Sequence, residues 1–206
     1  TEMSEAIISM YGETPAEDII VYTRKSLIIP ILHKDFRIHW RDLEASRRTG
    51  TPLDTANAES AALVVAQLEE ELILNGEITG KPRLGIQGLT TVTGRLSQAS
   101  AGAWATSPNA LTTVRNAAKK LLDKNYPSPY DLILQPSAYM DSLALIANTG
   151  ISQLEKIQEI IQGQIYVTPL IKSSAGGTDT AILMKSGAEN ADLPVAQDLK
   201  TFYMQR

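Results

Sequence analysis

An α+β fold is what this sequence predicts, and three stretches predict it. Asp54 to Asn75 reads as one long amphipathic helix. Ile19 to Trp40 reads as extended almost throughout. Beyond residue 100, short apolar runs and helical patterns alternate irregularly, without the regular βαβ order of a parallel sheet.

The long helix rests on spacing. Ala61, Val65, Leu68 and Leu72 recur on one helical face, and Val64 and Leu74 broaden it. Thr51, Pro52 and Asp54 are start signals, with Asp54 the expected cap, and Asn75-Gly76 is the stop. About 22 residues at about 1.5 Å each reach about 33 Å, the width of a small domain. Such a helix can be a spine on which sheets from both sides rest. Glu69, Glu70 and Glu71 sit on consecutive positions and so point in different directions; we expect a solvated face there, not a paired acid site.

Upstream, Ala6–Tyr11 reads as a strand and Gly12–Asp18 has turn composition. Ile19–Trp40 is rich in β-branched and aromatic residues, and Val21, Thr23 and Lys25 alternate with Tyr22, Arg24 and Ser26. Pro30 is tolerated at a strand edge or bulge. Roughly 20 extended residues would span about 65 Å, more than one compact domain needs. Pattern alone leaves two readings: a two-stranded arm that lies on a neighbouring copy, or two strands of one sheet kinked at Pro30. Residues 41–53, with Arg41, Arg47 and Arg48, read as a solvated turn with surface ion pairs, the alternative being an anion-binding patch.

Downstream of the spine, Gly76–Gly102 is a loop with short strands at most. Its Gly76-x-x-x-Gly80-Lys81 is one residue short of a phosphate loop, and Pro82 stands where Ser or Thr is needed. Ser107-Pro108 opens a second helix, Ser107 capping and Pro108 in the first turn. Leu111, Val114, Ala118, Leu121 and Leu122 form its apolar face, and Lys119, Lys120 and Lys124 suit its C-terminal end. Tyr130–Leu134 reads as a buried strand. Ser137–Ala147 reads as a helix with Tyr139, Leu143 and Ile146 inward, and Asn148-Thr149-Gly150 as a turn. Ser152–Gln162 follows as a helix with Leu154, Ile157, Ile160 and Ile161 inward and Gly163 as its stop. Ile165–Ile171, with Pro169, reads as an edge strand, Lys172–Gly177 as a flexible loop, Thr180–Met184 as a strand, Ser186–Pro194 as a polar loop and Ala196–Tyr203 as a last strand.

Composition narrows the function. The 206 residues make one domain or two small ones. With 19 Lys and Arg against 23 Asp and Glu the chain is mildly acidic, which argues against a dedicated nucleic-acid binder. No cysteine means no disulfide, thiolate metal site or thiol nucleophile. No apolar run approaches the ~18 residues of a membrane span, and no signal-peptide pattern is present, so the cytoplasm is the expected compartment. His33 and His39 have no carboxylate at metal-ligand spacing, and no Ser sits in a G-x-S-x-G elbow. Trp40 and Trp104 read as core or interface residues before ligand-stacking ones. We expect no enzyme, no metal and no cofactor.

Several of these stretches, taken in order, resemble one family. Tyr22-Thr23-Arg24-Lys25-Ser26-Leu27 with Phe36 precedes the spine, which closes at Asn75-Gly76. Gly85-Ile86-Gln87-Gly88-Leu89, Ser128-Pro129-Tyr130-Asp131-Leu132-Ile133-Leu134, Val167-Thr168-Pro169 and Gln197-Asp198-Leu199 follow. Each is weak alone; together they resemble the encapsulin shell proteins, which share the tailed-phage major capsid (HK-ninety-seven-like) fold. The resemblance implies an extension loop over 1–40, a peripheral domain over 41–84 with the spine at 54–75, an axial domain over 85–195, and a returning peripheral strand from 196 to 206. It favours the arm reading, with Tyr11, Tyr22, Arg24, Lys25 and Leu27 as inter-subunit contacts. It implies an icosahedral homo-oligomer that encloses a cargo protein, with no membrane partner. A viral or prophage capsid enclosing a genome is the alternative. The family's first and last segments have no counterpart here, so we expect a portion of a longer chain and carry over no cargo-docking residue. Some members hold flavin through a Trp before the spine; Trp40 is one position off and Arg41 takes its place, so no flavin is expected. In the family the loop between two short axial helices surrounds a pore, which makes Asn148, Thr149 and Gly150 the expected pore-lining residues.

Overall fold

A computed structural model describes residues 28–50, 55–76, 85–171, 181–185, 187, 190–191 and 193–202. Among the described residues five helices and three strands follow in order: α1 (Trp40–Thr49), α2 (Ala56–Asn75), α3 (Asn109–Leu122), β1 (Tyr130–Leu134), α4 (Pro136–Ser142), α5 (Gln153–Ile161), β2 (Gln162–Val167) and β3 (Ala181–Lys185). Mixed helix and sheet is the α+β class the sequence predicts. Ala6–Tyr11 and the Lys172–Gly177 loop lie outside the described residues; Thr55, not the expected Asp54, is the N-cap of α2, and its side chain makes no capping bond.

The core is built on one face of a three-stranded sheet ordered β2-β1-β3. β1 runs parallel to β2 and antiparallel to β3. Alternate residues of β1 point the same way, so Tyr130, Leu132 and Leu134 enter the core together. There they meet Val114 and Ala118 of α3, Ala138 of α4, Ile157 and Ile161 of α5, and Trp104. Ile165 and Leu183, opposite Leu132 on the two neighbours, extend the same face. On the other face Ile133 pairs with Ile182 and with Tyr166, and Tyr166 remains exposed.

The register between β1 and β2 slips once, between Tyr130 and Leu132. Gly163 occupies the slip, where a Cβ would run into the Tyr130 carbonyl. Asp131 Oδ1 accepts the Gln164 amide at 3.0 Å and takes over a ladder bond the slip removes. Gly163 is therefore a strand residue. Gln162, with φ 57°, ends α5 in place of the expected glycine.

The spine forms as predicted, and its C-terminus is closed completely. A helix leaves its last four carbonyls without intrahelical partners. Here Leu72 O takes the Gly76 amide at 2.8 Å, Ile73 O the Leu89 amide at 3.0 Å, and Leu74 O the Thr90 amide at 2.9 Å and hydroxyl at 3.0 Å. Asn75 O takes the Thr91 hydroxyl at 3.2 Å. The returning loop comes so close that Gly76 and Gly88 touch backbone to backbone: a Cβ on Gly88 would lie 2.6 Å from Asn75 C. Two further bonds tie this end to the chain after β2. Asn75 Nδ2 donates to Leu170 O at 2.7 Å, and the Thr168 hydroxyl donates to Glu70 Oε1 at 2.5 Å. Glu70 stays exposed, as expected of this face, and adds a tether between the spine and the chain after β2. The N-terminal half of α2 is different. Ala61 is buried, but Leu63 and Val64 are 59% and 46% exposed, so Val64 does not widen the packed face.

Other expectations are corrected. Residues 40–49 are a helix, not a turn. His39 caps it through Nδ1, which accepts the Arg41 amide at 3.2 Å, and Gly50 closes it at φ 68°. Arg48 pairs with Glu44 at 3.0 Å, the surface ion pair that was expected, and no residue of the helix is buried. Trp40 accordingly starts a helix instead of ending an extended run. Pro108, not Ser107, stands at the N-cap of α3; the Ser107 hydroxyl is buried without a partner, and Leu122 is exposed. α4 stops at Ser142, whose hydroxyl bonds back to Tyr139 O at 2.6 Å, and Leu143 lies exposed beyond it. Residues 196–202 form no strand, because no described residue offers them a ladder partner; Leu199 and Phe202 are exposed.

Candidate functional site

The loop joining α4 to α5 is the site the sequence singled out, and its geometry follows from short-range bonds. Leu145 and Ser152 face each other as an antiparallel bridge. Ile146 N donates to Ile151 O at 2.8 Å, and Gln153 N donates to Ala144 O at 3.0 Å. These bonds make a narrow stem with the tip at residues 147–150. Asn148 and Gly150 hold the left-handed conformation at φ 62° and 66°. Asn is among the few side chains that accept it readily, and Gly accepts it without strain. A Cβ on Gly150 would meet nothing within 4 Å, so conformation, not space, calls for glycine there.

Thr149 is folded inward on its own turn. Its hydroxyl donates to Ile146 O at 2.8 Å and accepts the Ile151 amide at 3.3 Å. Asn148, Thr149 and Gly150 are all exposed and uncharged. Ser152 starts α5 as its cap, its hydroxyl accepting the Glu155 amide at 3.2 Å. The tip therefore presents backbone and an amide side chain, and no ionisable group.

The stem is held from inside by a residue that sequence reasoning passed over. Gln153 is fully buried. Its Oε1 accepts the Leu111 amide at 3.3 Å, and its Nε2 donates to Trp104 O at 3.3 Å. Leu111 is the third residue of α3, so its amide is one that a helix cannot satisfy by itself. Gln153 supplies the bond that Ser107 was expected to make. Trp104, 2% exposed, is held in the core with its indole N–H on Ser100 Oγ at 3.2 Å, as the packing reading of this residue expects.

The arm residues Tyr11, Tyr22, Arg24, Lys25 and Leu27 lie outside the described residues. Residues 28–39 carry no helix or strand, and Ile28, Ile29 and Ile31 are exposed. Trp40 is exposed as well, stacked on His39 with centroids 6.2 Å apart and with the Arg41 guanidinium 5.7 Å from its ring. Among the described residues no group of three or more His, Asp or Glu could hold a metal ion, and no helix is long and apolar enough to cross a membrane. The Tyr130 phenol is pushed up from its ordinary pKa by burial, and its hydroxyl donates to Tyr126 O at 2.6 Å, a structural role.

Known proteins share this pattern over nearly the whole chain. The family model described as "Encapsulating protein for peroxidase" matches residues 7–206. The type 1 encapsulin shell protein of Myxococcus xanthus is 32% identical over 202 residues, 98% of this chain and 67% of that protein. The diheme-cytochrome-encapsulin shell fusion protein of Kuenenia stuttgartiensis is 30% identical over 200 residues, 97% of this chain and 52% of that protein. The chain thus spans about two thirds of the first relative and about half of the second. A virus-like particle from Pyrococcus furiosus shares 20% identity at a TM-score of 0.45, over 68% of this chain and 64% of that one. By the extent of the family match and the identity to its shell proteins, the chain belongs to the encapsulin family, the encapsulating proteins for peroxidase.

Proposed function

We propose that the chain is a structural subunit of a closed icosahedral compartment that encloses a cargo protein, and that it has no catalytic role of its own. Beyond the family itself, the observation that carries this is α2. Its N-terminal half is apolar on several faces, yet Leu63 and Val64 stay exposed in the single chain. Adjacent large apolar side chains left open on a helix mark a surface that another protein surface covers. Neighbouring copies supply that cover. Tyr166 on the far face of the sheet and Ile28, Ile29 and Ile31, all exposed, ask for the same cover.

In this reading the fold is of the tailed-phage capsid type. Residues 1–40 reach onto a neighbour through Tyr11, Tyr22, Arg24, Lys25 and Leu27. Residues 41–84 form the peripheral domain, 85–195 the axial domain, and the last residues return to the periphery. The loop Asn148-Thr149-Gly150 lines a pore. A ring of uncharged tips makes no strong field, so passage is filtered by size more than by charge sign. The cytoplasm is the compartment that fits.

The test is a double substitution, Leu63→Asp with Val64→Asp. It should leave a folded chain by circular dichroism and abolish closed particles by electron microscopy. Full-size particles from the double variant would overturn the reading. Particles from the native source should carry protein cargo; nucleic acid in its place would move the chain to the capsid class. For the pore, Thr149→Asp and Thr149→Lys should bias small-ion entry in opposite senses.

A further inference from the structure

Gln153 joins three parts of the chain: the stem of the loop, the start of α3 and the segment that carries Trp104. Its backbone amide closes the loop stem on Ala144 O, its Oε1 caps α3 at Leu111, and its Nε2 holds the carbonyl of buried Trp104. The side chain is 0% exposed and spends both ends of its amide on backbone groups that have no helical partner. The N-cap position of α3 is Pro108, which offers no side-chain bond, and the Ser107 hydroxyl beside it is unbonded. The start of α3 and the foot of the loop are therefore hydrogen-bonded to each other through this glutamine, beside the apolar packing of α3 on α5. An apolar side chain of equal length would fill the space and leave the Leu111 amide and the Trp104 carbonyl unsatisfied.

We infer that Gln153 is the positioning residue that sets the aperture of the loop at residues 145–152. The inference rests on the reading of that loop as a pore lining. The stem's own bonds fix the shape of the tip. They do not fix where the tip stands relative to α3. Among the described residues the Gln153 bridge is what does that with directional bonds, so it sets how far the tips reach toward one another in a ring of copies. Its action is on position and not on charge, because its side chain is neutral and buried.

The experiment uses intact particles of the whole protein carrying Gln153→Met, with Gln153→Glu beside it. The glutamate keeps an acceptor for Leu111 and loses the donor to Trp104. Entry is read with fluorescein-labelled polyethylene glycols of graded size, and hydrogen exchange is followed over residues 109–113 and 144–153. The expected result is a raised size limit at unchanged particle diameter. Exchange at the Leu111 and Gln153 amides should quicken about tenfold for Gln153→Met and less for Gln153→Glu. Thr149→Asp and Thr149→Lys are run in parallel with iodide and caesium as charged probes. If they alter ion preference while both Gln153 variants keep the parent size limit, the aperture inference falls and the pore reading stands. If the Thr149 variants change nothing, the pore reading falls and takes this inference with it. If Gln153→Met forms no particles, Gln153→Glu decides on the same two readouts; if neither forms particles, Gln153 is general scaffolding and the inference is overturned.

Discussion

Replacing Gly88 by alanine tests the closure of the spine at a single atom. Gly88 does not hold a left-handed φ, so the substitution carries no conformational strain of its own. The whole cost is steric. The new methyl group would stand 2.6 Å from Asn75 C and 2.8 Å from Asn75 N, against backbone that cannot rotate out of the way. Overpacking of this kind costs about 1–3 kcal/mol. Relief requires the 88–91 loop to lift from α2, which loosens the bonds from Leu89 N, Thr90 N and the Thr90 and Thr91 hydroxyls to Ile73 O, Leu74 O and Asn75 O. At about 1 kcal/mol for each bond lost, two of them bring the total to about 3–5 kcal/mol. That is a large part of a typical domain's margin of about 5–15 kcal/mol. Urea unfolding followed by far-UV circular dichroism reads the loss, and hydrogen exchange at Leu89 and Thr90 locates it. Gly150→Ala is the contrast: φ 66° with open space around the Cβ, so about 1–2 kcal/mol of left-handed strain and no clash. A Gly88→Ala variant within about 0.5 kcal/mol of the parent would mean that the two backbones do not touch.

Three further outcomes are expected. Ile157→Ala removes a fully buried side chain from the contact between α5 and the sheet, and unfolding should show a loss of about 2–5 kcal/mol. Thr168→Val should cost about 1–2 kcal/mol by the same measurement, because the Glu70 bond disappears and the Leu170 amide, 3.3 Å from the hydroxyl, loses its acceptor; Thr168→Ser should restore most of it. The raised Tyr130 pKa predicts an alkaline weakness. Above about pH 10 the phenol ionises in the unfolded chain before it does in the folded one, so stability is whole below that pH and falls as pH rises through the folded-state value. Tyr130→Phe should flatten this limb of the stability curve and lower neutral-pH stability by about 1 kcal/mol for the lost bond to Tyr126.

What could be read in the sequence was what apolar spacing encodes. Tyr130–Leu134 is a short, mostly apolar run, Ile157 and Ile161 sit one turn apart, and α2 combines length with a glycine stop, so each announces itself. α1 did not, because Trp40, Leu43 and Ala45 are too few apolar residues to mark a face; its signals were ionic and terminal, with Asp42 in the first turn, Arg47 and Arg48 in the last, and Gly50 after them. Gly163 follows Ile161 where a helix stop belongs, and only the approach of the Tyr130 carbonyl shows its actual role. In the loop, the turn at Asn148-Thr149-Gly150 was legible from composition. Gln153 was not. A buried amide that caps another helix 42 residues away has no local signature, and neither does the bond between Glu70 and Thr168 across 98 residues.

Those long separations also bear on how the chain is made. Asn75 fastens the spine to Leu170, 95 residues further on. At synthesis rates of about 5–20 residues per second, the nascent spine waits roughly 5–20 s before its anchor exists. Through that interval the spine rests only on the 88–91 loop that closes its C-terminus. The β1–α4–α5–β2 unit, by contrast, finds its partners within a short span and can be in place as soon as it leaves the ribosome. A newborn subunit should therefore be most vulnerable to aggregation, and most dependent on chaperones, between the appearance of α2 and the arrival of Thr168 and Leu170. A ribosome stalled in that window, rather than one stalled later, should yield chains that chaperones retain.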